Sequence, residues 1–205
     1  MMIPVAEPFI GKEEEELVLA GLRSGWVSSV GKYIHQFERE FASYCNVKYG
    51  ITTSNGTTAL HLALVALNIG PGDEVIVPSM TFIATANAVT YTGAKPVFID
   101  SELETWNIDP EKIKAKINKR TKAIIPVHLY GHPANMGLIL TIARKYNLSV
   151  LEDAAEAHGA LYKQKKVGSL GEMGCFSFYG NKIITTGEGG MITTNNKVLA
   201  DKIKM

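Results

Sequence analysis

Cysteine is scarce in this chain. Cys45 and Cys175 are the only two in 205 residues, and neither belongs to a Cys-x-x-Cys pair, so there is no disulfide framework and no thiolate metal clip to read. An excess of charge of one sign is missing as well. Twenty-one basic residues against 20 acidic leave a formal net charge of +1, too little to draw nucleic acid or an anionic membrane over a distance. The nearest basic cluster, Lys163-Gln164-Lys165-Lys166, is short and reads as the solvated tip of a hairpin. No apolar run approaches the roughly 20 residues that cross a bilayer, and the start, Met1 to Pro8, lacks the basic region and apolar core of a secretory leader. A soluble cytoplasmic protein without nucleic-acid or membrane partners is the expectation. The common nucleotide loops are also absent: neither Gly-x-x-x-x-Gly-Lys-[Ser/Thr] nor Gly-x-Gly-x-x-Gly occurs, which speaks against an ATPase or a dehydrogenase. No Gly-x-Ser-x-Gly elbow supports a hydrolase.

The chain does have apolar material for a core, 46% hydrophobic against 20% charged. Glu13 to Leu22 is a good helix former, and Ile34, Phe37, Phe41 and Tyr44 recur at helical spacing. Between them Gly25-Trp26-Val27-Ser28-Ser29 breaks the pattern and reads as a connection packed on the core surface. From Tyr49 onward short β-rich runs alternate with helical ones. Ile51 to Thr53 leads to a helix over Thr57 to Leu67, Glu74 to Val77 to one over Phe82 to Tyr91, and Pro96 to Ile99 to one over Pro110 to Ile117. Lys122 to Val127 precedes a helix over Met136 to Tyr146, and Leu148 to Leu151 an acidic turn; Cys175 to Tyr179 and Met191 to Thr194 are two further strands. The strands are apolar throughout rather than alternating, as a sheet covered on both faces requires. Strand and helix in succession therefore predict an α/β fold: a mostly parallel, doubly wound sheet in one large domain over residues 1–205. Lys197 to Met205 begins a helical pattern without a cap, and the chain is expected to be cut in mid-element there.

In such a sheet, ligands gather beyond the carboxyl ends of the strands. Four loops there carry suitable groups. Ser54-Asn55-Gly56-Thr57-Thr58 joins a strand to a helix; Gly56 lets backbone approach a ligand, and the helix start with Thr57 favours a phosphate. The same turn also reads as a plain N-cap. Phe82, after the next strand, can stack on a planar ring or simply fill the core. Asp153, following Leu148 to Leu151, is a carboxylate that burial makes costly without a partner. A protonated ring nitrogen is one such partner; an ion pair or a helix cap is another. The fourth loop, Phe176-Ser177-Phe178-Tyr179-Gly180-Asn181-Lys182, offers a hydroxyl and, five residues on, an amine among apolar and glycine residues. Desolvation there would free that amine to condense with an aldehyde. Lys182 with Asp153 suggests pyridoxal phosphate. The rival reading is a metal held by His128, His132, Asp153 and His158, although His128 and His132 follow a strand and are separated by Gly131 rather than sharing a helix face.

Three runs, Ser54-Asn55-Gly56-Thr57-Thr58-Ala59-Leu60-His61-Leu62-Ala63-Leu64, Glu152-Asp153-Ala154-Ala155-Glu156-Ala157 and Phe176 to Lys182, resemble the DegT/DnrJ/EryC1/StrS sugar aminotransferases. The resemblance runs in order from about Ile3 to the last residue. It implies the large domain of a fold-type I pyridoxal-phosphate enzyme, with Lys182 forming the Schiff base and Asp153 on the ring nitrogen. It further implies Phe82 stacked on the ring, Gly56, Thr57 and Ser177 on the phosphate, and Glu156 near the phenolic oxygen. A dehydratase branch has histidine at the position of Lys182, so the lysine implies transamination, from glutamate to a nucleotide-linked keto sugar such as GDP-4-keto-6-deoxy-mannose, on the way to a surface polysaccharide. Relatives are longer, carry a smaller C-terminal domain and build each site across a homodimer. This chain is therefore expected to be the large-domain part of a transaminase, or else a cofactor-binding remnant without turnover.

Overall fold

The computed structural model describes residues 6–205. Two helices come first, α1 (Lys12–Arg23) and α2 (Lys32–Tyr44), where the apolar spacing puts them. β1 (Tyr49–Thr53) leads into α3 (Gly56–Ala66), β2 (Glu74–Pro78) into α4 (Ala84–Tyr91), and β3 (Lys95–Ile99) into the short α5 (Pro110–Ile113). β4 (Thr121–Ile124) precedes α6 (Met136–Tyr146), and β5 (Ser149–Asp153) precedes a small hairpin of β6 (Leu161–Tyr162) and β7 (Lys165–Lys166). β8 (Met173–Ser177), β9 (Gly190–Thr194) and α7 (Lys197–Lys204) follow.

Seven strands form one sheet in the order β1-β9-β8-β5-β4-β2-β3. From β3 through β8 every pairing is parallel, and β9 runs antiparallel to both β8 and β1. The sheet is thus mostly parallel, as the alternation of runs predicts, with one reversed strand. Successive side chains along a strand serve opposite faces. Val75, Val77, Ala123, Ile125 and Leu151 pack with Leu60, Leu64, Val89 and Ile203 of α3, α4 and α7. Ile76, Ile124 and Val150 instead meet Ile139 and Ile142 of α6. Farther along, Phe176 and Met191 pack on Phe41 of α2 and on Cys45 just past its end. Burial of each such side chain stabilises by about 1.5–3 kcal/mol, and coverage on both faces is why the runs read as continuously apolar. The two edge strands, β1 and β3, are less covered, and Phe98 of β3 is 51% exposed.

Three local expectations change. The run from Lys122 to Val127 stops as a ladder at Ile124, because Pro126 has no N–H to give; Val127 rejoins β5 only through an isolated bridge to Asp153. The helix from Pro110 ends at Ile113 and tightens into a 3-10 turn over Lys114–Lys116. α4 starts two residues later than expected, which leaves Phe82 in the loop rather than in the helix. The basic cluster does sit at a hairpin tip, with Lys163 and Gln164 both in the left-handed region, at φ 48° and 66°. Among the described residues no helix is long and apolar enough to cross a membrane.

Candidate active site

The carboxyl ends of β1, β2, β4, β5 and β8 open onto one cavity of about 290 Å³. Gly56, Thr57, Phe82, Asp153, Glu156, Ser177 and Lys182, the seven residues singled out from sequence, all line it. The parallel strands bring them together, since each strand delivers the loop after it to the same edge.

At the start of α3, the Asn55 side chain accepts a hydrogen bond from the Thr58 amide at 2.9 Å, and the Asn55 carbonyl accepts from the Ala59 amide at 3.1 Å. The cap reading is therefore right for Asn55. Among the described residues, the amides of Gly56 and Thr57 have no protein acceptor, and they supply the partial positive charge of a helix start. Gly56 is dictated by closeness: a β-carbon there would stand 2.8 Å from Cβ of Ser177. β9 comes equally near, because a β-carbon on Gly190 would overlap the Asn55 carbonyl.

Asp153 is 5% exposed and has neither a cation nor a helix end for a partner among the described residues. Its Oδ2 accepts from Thr85 Oγ1 at 2.7 Å and its Oδ1 from the Ala155 amide at 3.2 Å. Burial pushes its carboxyl above the usual carboxylate range, and the hydrogen bonds from Thr85 and Ala155 pull it back only in part. A buried anion in this condition is short of a positive partner.

Lys182 is not left alone among apolar groups, as sequence suggests. Its Nζ lies 3.1 Å from Glu156 Oε1, while Glu156 Oε2 accepts from the Tyr130 amide at 3.1 Å. The same Nζ stands 6.0 Å from the centre of the Phe82 ring. Phe82 is 73% exposed, so it is no core residue.

The metal arrangement is not assembled. His128 is fully buried with both ring nitrogens engaged: Nε2 meets Glu152 Oε2 at 3.0 Å, and Nδ1 accepts from the Ala134 amide at 3.1 Å. His132 is exposed, and His158 packs against Phe41, Phe176 and Phe178. Among the described residues no three His, Cys, Asp or Glu side chains group as metal ligands. Trp26 does not pack on the core either; it is 64% exposed and its indole N–H closes onto the Val30 carbonyl.

Sequence reasoning passed over Thr85, Thr81 and Glu188. Thr81 and Glu188 line the cavity, and Thr85 lies behind Asp153. Thr81 lies in the loop before α4 and Thr85 in its first turn, so no helical spacing in the sequence marks the pair. Glu188 sits in a glycine-rich turn and gives no signal either.

A mostly parallel α/β sheet with a lysine and a buried carboxylate in one cavity at its carboxyl edge is an arrangement suited to an aldehyde-bearing cofactor. The model of the DegT/DnrJ/EryC1/StrS aminotransferase family matches residues 8–205. GDP-perosamine synthase of Caulobacter vibrioides is 59% identical over 203 residues, 99% of this chain and 55% of that protein. The aminotransferase from Psychrobacter cryohalolentis superposes with a TM-score of 0.94 at 48% identity, over 96% of this chain and 50% of that one. The PLP-form of Spr1654 from Streptococcus pneumoniae does so with a TM-score of 0.92 at 32% identity, over 98% and 57%. The chain belongs to the DegT/DnrJ/EryC1/StrS aminotransferase family, and it spans about half the length of the relatives it matches.

Proposed function

We propose that this chain is the cofactor-binding part of a pyridoxal-phosphate-dependent sugar aminotransferase. The observation that carries the reading is one cavity holding a lysine, a buried carboxylate without a cation, and a helix start with two free amides. These residues fit the cofactor. Lys182 would take its aldehyde, Asp153 its ring nitrogen, Phe82 a ring face, and Gly56, Thr57 and Ser177 its phosphate. When bound, the cofactor supplies a conjugated electron sink next to the carbon that exchanges the amino group. Asp153 would keep the ring nitrogen protonated, which makes that sink effective. Lys182, when not bonded to the cofactor, would move a proton between the cofactor's aldehyde-derived carbon and the carbon that carries the transferred amino group, as general acid and base. Glu156, paired with the amine at 3.1 Å, keeps it inside the cavity in the meantime. Its place near the phenolic oxygen is part of the same proposal.

Glutamate is the proposed donor and a nucleotide-linked 4-keto-6-deoxy sugar the acceptor. The identity to GDP-perosamine synthase supports GDP-4-keto-6-deoxy-mannose, feeding surface polysaccharide synthesis. Lys182 is the one cationic residue lining the cavity among the described residues, yet phosphate, glutamate and sugar nucleotide are all anionic. Further cations would come from the rest of the whole protein or from a second copy of it, and a homodimer is part of the same proposal. Leu17, Val18 and Leu22 of α1, exposed with no residue of that helix buried, are surface for such contacts. Cys45 and Cys175, buried and unpaired, suit a reducing cytoplasm.

Addition of pyridoxal phosphate is expected to give a visible absorbance band, and borohydride to add the cofactor's mass to the peptide containing Lys182. A band that persists in Lys182→Ala would remove the basis of this reading. Amino transfer from glutamate to the keto sugar, compared between this chain and a full-length relative, tests turnover.

A further inference from the structure

Thr85 is fully buried as the second residue of α4. Four residues back lies Thr81, outside the helix, so no helical carbonyl stands there for its hydroxyl to take, as the Ala86 carbonyl does for Thr90 at 3.1 Å farther along. Thr85 Oγ1 instead reaches 2.7 Å to Oδ2 of Asp153, a residue 68 positions away. Behind it, the hydroxyls of Thr81 and Thr85 are 2.8 Å apart.

The directions of these bonds follow from proton counting. An ionised carboxylate only accepts, so the single Thr85 proton goes to Asp153. The Thr81–Thr85 bond must then take its proton from Thr81, which lines the cavity. Two hydroxyls in series therefore point their donors at one carboxylate oxygen. The other groups acting on Asp153 are the buried His128 and the Glu156 carboxylate, and among the described residues Thr85 is the one side chain within hydrogen-bond distance. Among the same residues Oδ1 has only the long contact to the Ala155 amide.

We infer that Thr85 is a positioning residue for the cofactor: its hydroxyl holds the Asp153 carboxylate ionised and in one orientation, so that Oδ1 remains for the ring nitrogen. The inference rests on the proposed pairing of Asp153 with that nitrogen. It goes beyond that pairing by assigning the pairing's strength to a threonine that touches neither cofactor nor substrate. Thr81 strengthens the same bond from the cavity side, since hydrogen bonds in series polarise one another.

The test compares dissociation constants for pyridoxal phosphate and for its carbocyclic analogue, in which the ring nitrogen is a C–H. Wild-type protein is expected to prefer the natural cofactor. Thr85→Val, which keeps the shape and drops the hydroxyl, is expected to bind the cofactor about tenfold more weakly, the scale of one hydrogen bond to a charged group, with the analogue's affinity unchanged. Thr85→Ser is expected to restore the preference, and Thr81→Val to lose part of it should Thr85→Val not fold. Equal weakening toward both ligands, or no weakening toward either, overturns the inference while leaving the wild-type preference, and with it the Asp153 pairing, in place. If wild-type protein binds both ligands alike, the pairing itself falls and the role of Thr85 falls with it.

Discussion

A β-carbon placed on Gly56 would lie 2.8 Å from Cβ of Ser177, so the first turn of α3 and the last residue of β8 are in backbone contact. Two of the proposed phosphate-binding groups therefore sit on elements that cannot move apart independently. Gly56→Ala is expected to force that contact open, lowering unfolding free energy by about 1–3 kcal/mol and weakening pyridoxal phosphate binding as well. Urea unfolding and a cofactor titration measure the two effects. Wild-type values in both would mean that the contact is slack.

Glu152 is buried without exposure and its carboxylate is fully used. Oε2 accepts from His128 Nε2 at 3.0 Å and the Gly168 amide at 2.9 Å, and Oε1 accepts from the Leu170 and Gly171 amides at 2.7 and 2.8 Å. It ties β5 to the segment before β8 one residue ahead of Asp153. Glu152→Gln replaces one acceptor by an NH2 that faces amide donors, and about 3 kcal/mol of stability is expected to go, as when a buried charged network loses one member. A loss under about 1 kcal/mol in a urea melt would show that the network adapts.

Much of this site is legible in the sequence, and the part that is not has a physical reason. Asp153 and Lys182 announce themselves because one ends a strand and the other follows one, and every parallel strand empties onto one edge. Phe82 is legible for the same reason, although whether it stacks or fills the core is not. The order of the strands is hidden: β1 and β2 are consecutive in the chain yet have four strands between them in the sheet. Apolar periodicity records that a strand is covered, not by which neighbour. Pairings between distant residues, Thr85 with Asp153 and Glu156 with Lys182, are hidden likewise. The metal reading fails on similar ground, since spacing could not reveal that Glu152 and the Ala134 amide already occupy His128.

The turn at Lys163-Gln164 holds two non-glycine residues at positive φ, 48° and 66°, between two-residue strands. Such a two-residue hairpin favours Asn-Gly. Lys163→Asn with Gln164→Gly is expected to raise stability by up to about 1 kcal/mol through relief of backbone strain. The change touches nothing in the cavity, so cofactor affinity should stay as it was. Thermal unfolding of the double variant at or below the wild-type midpoint would contradict the turn assignment.

His158 gives the stability of the chain a dependence on pH. Both its ring nitrogens are buried, and among the described residues neither makes a well-formed hydrogen bond, the Ser177 backbone being the nearest approach; the ring packs 5.4 Å from the centres of the Phe176 and Phe178 rings. Burial, with a smaller contribution from the Lys182 charge, pushes the imidazole down to about 4, against an ordinary value of 6.5; the Ser177 backbone opposes the shift. The folded chain thus prefers the neutral ring, while the unfolded chain takes up a proton below pH 6.5. The contribution is complete above that pH and is lost as pH falls from 6.5 to about 4, on the order of 3 kcal/mol in all. His158→Phe keeps an aromatic of similar size among the same rings and removes the titrating group. Relative to wild type, its urea-unfolding free energy is expected to fall less steeply across that window, whatever its value at neutral pH. Parallel curves for the two proteins would mean that the imidazole gains its proton as easily folded as unfolded.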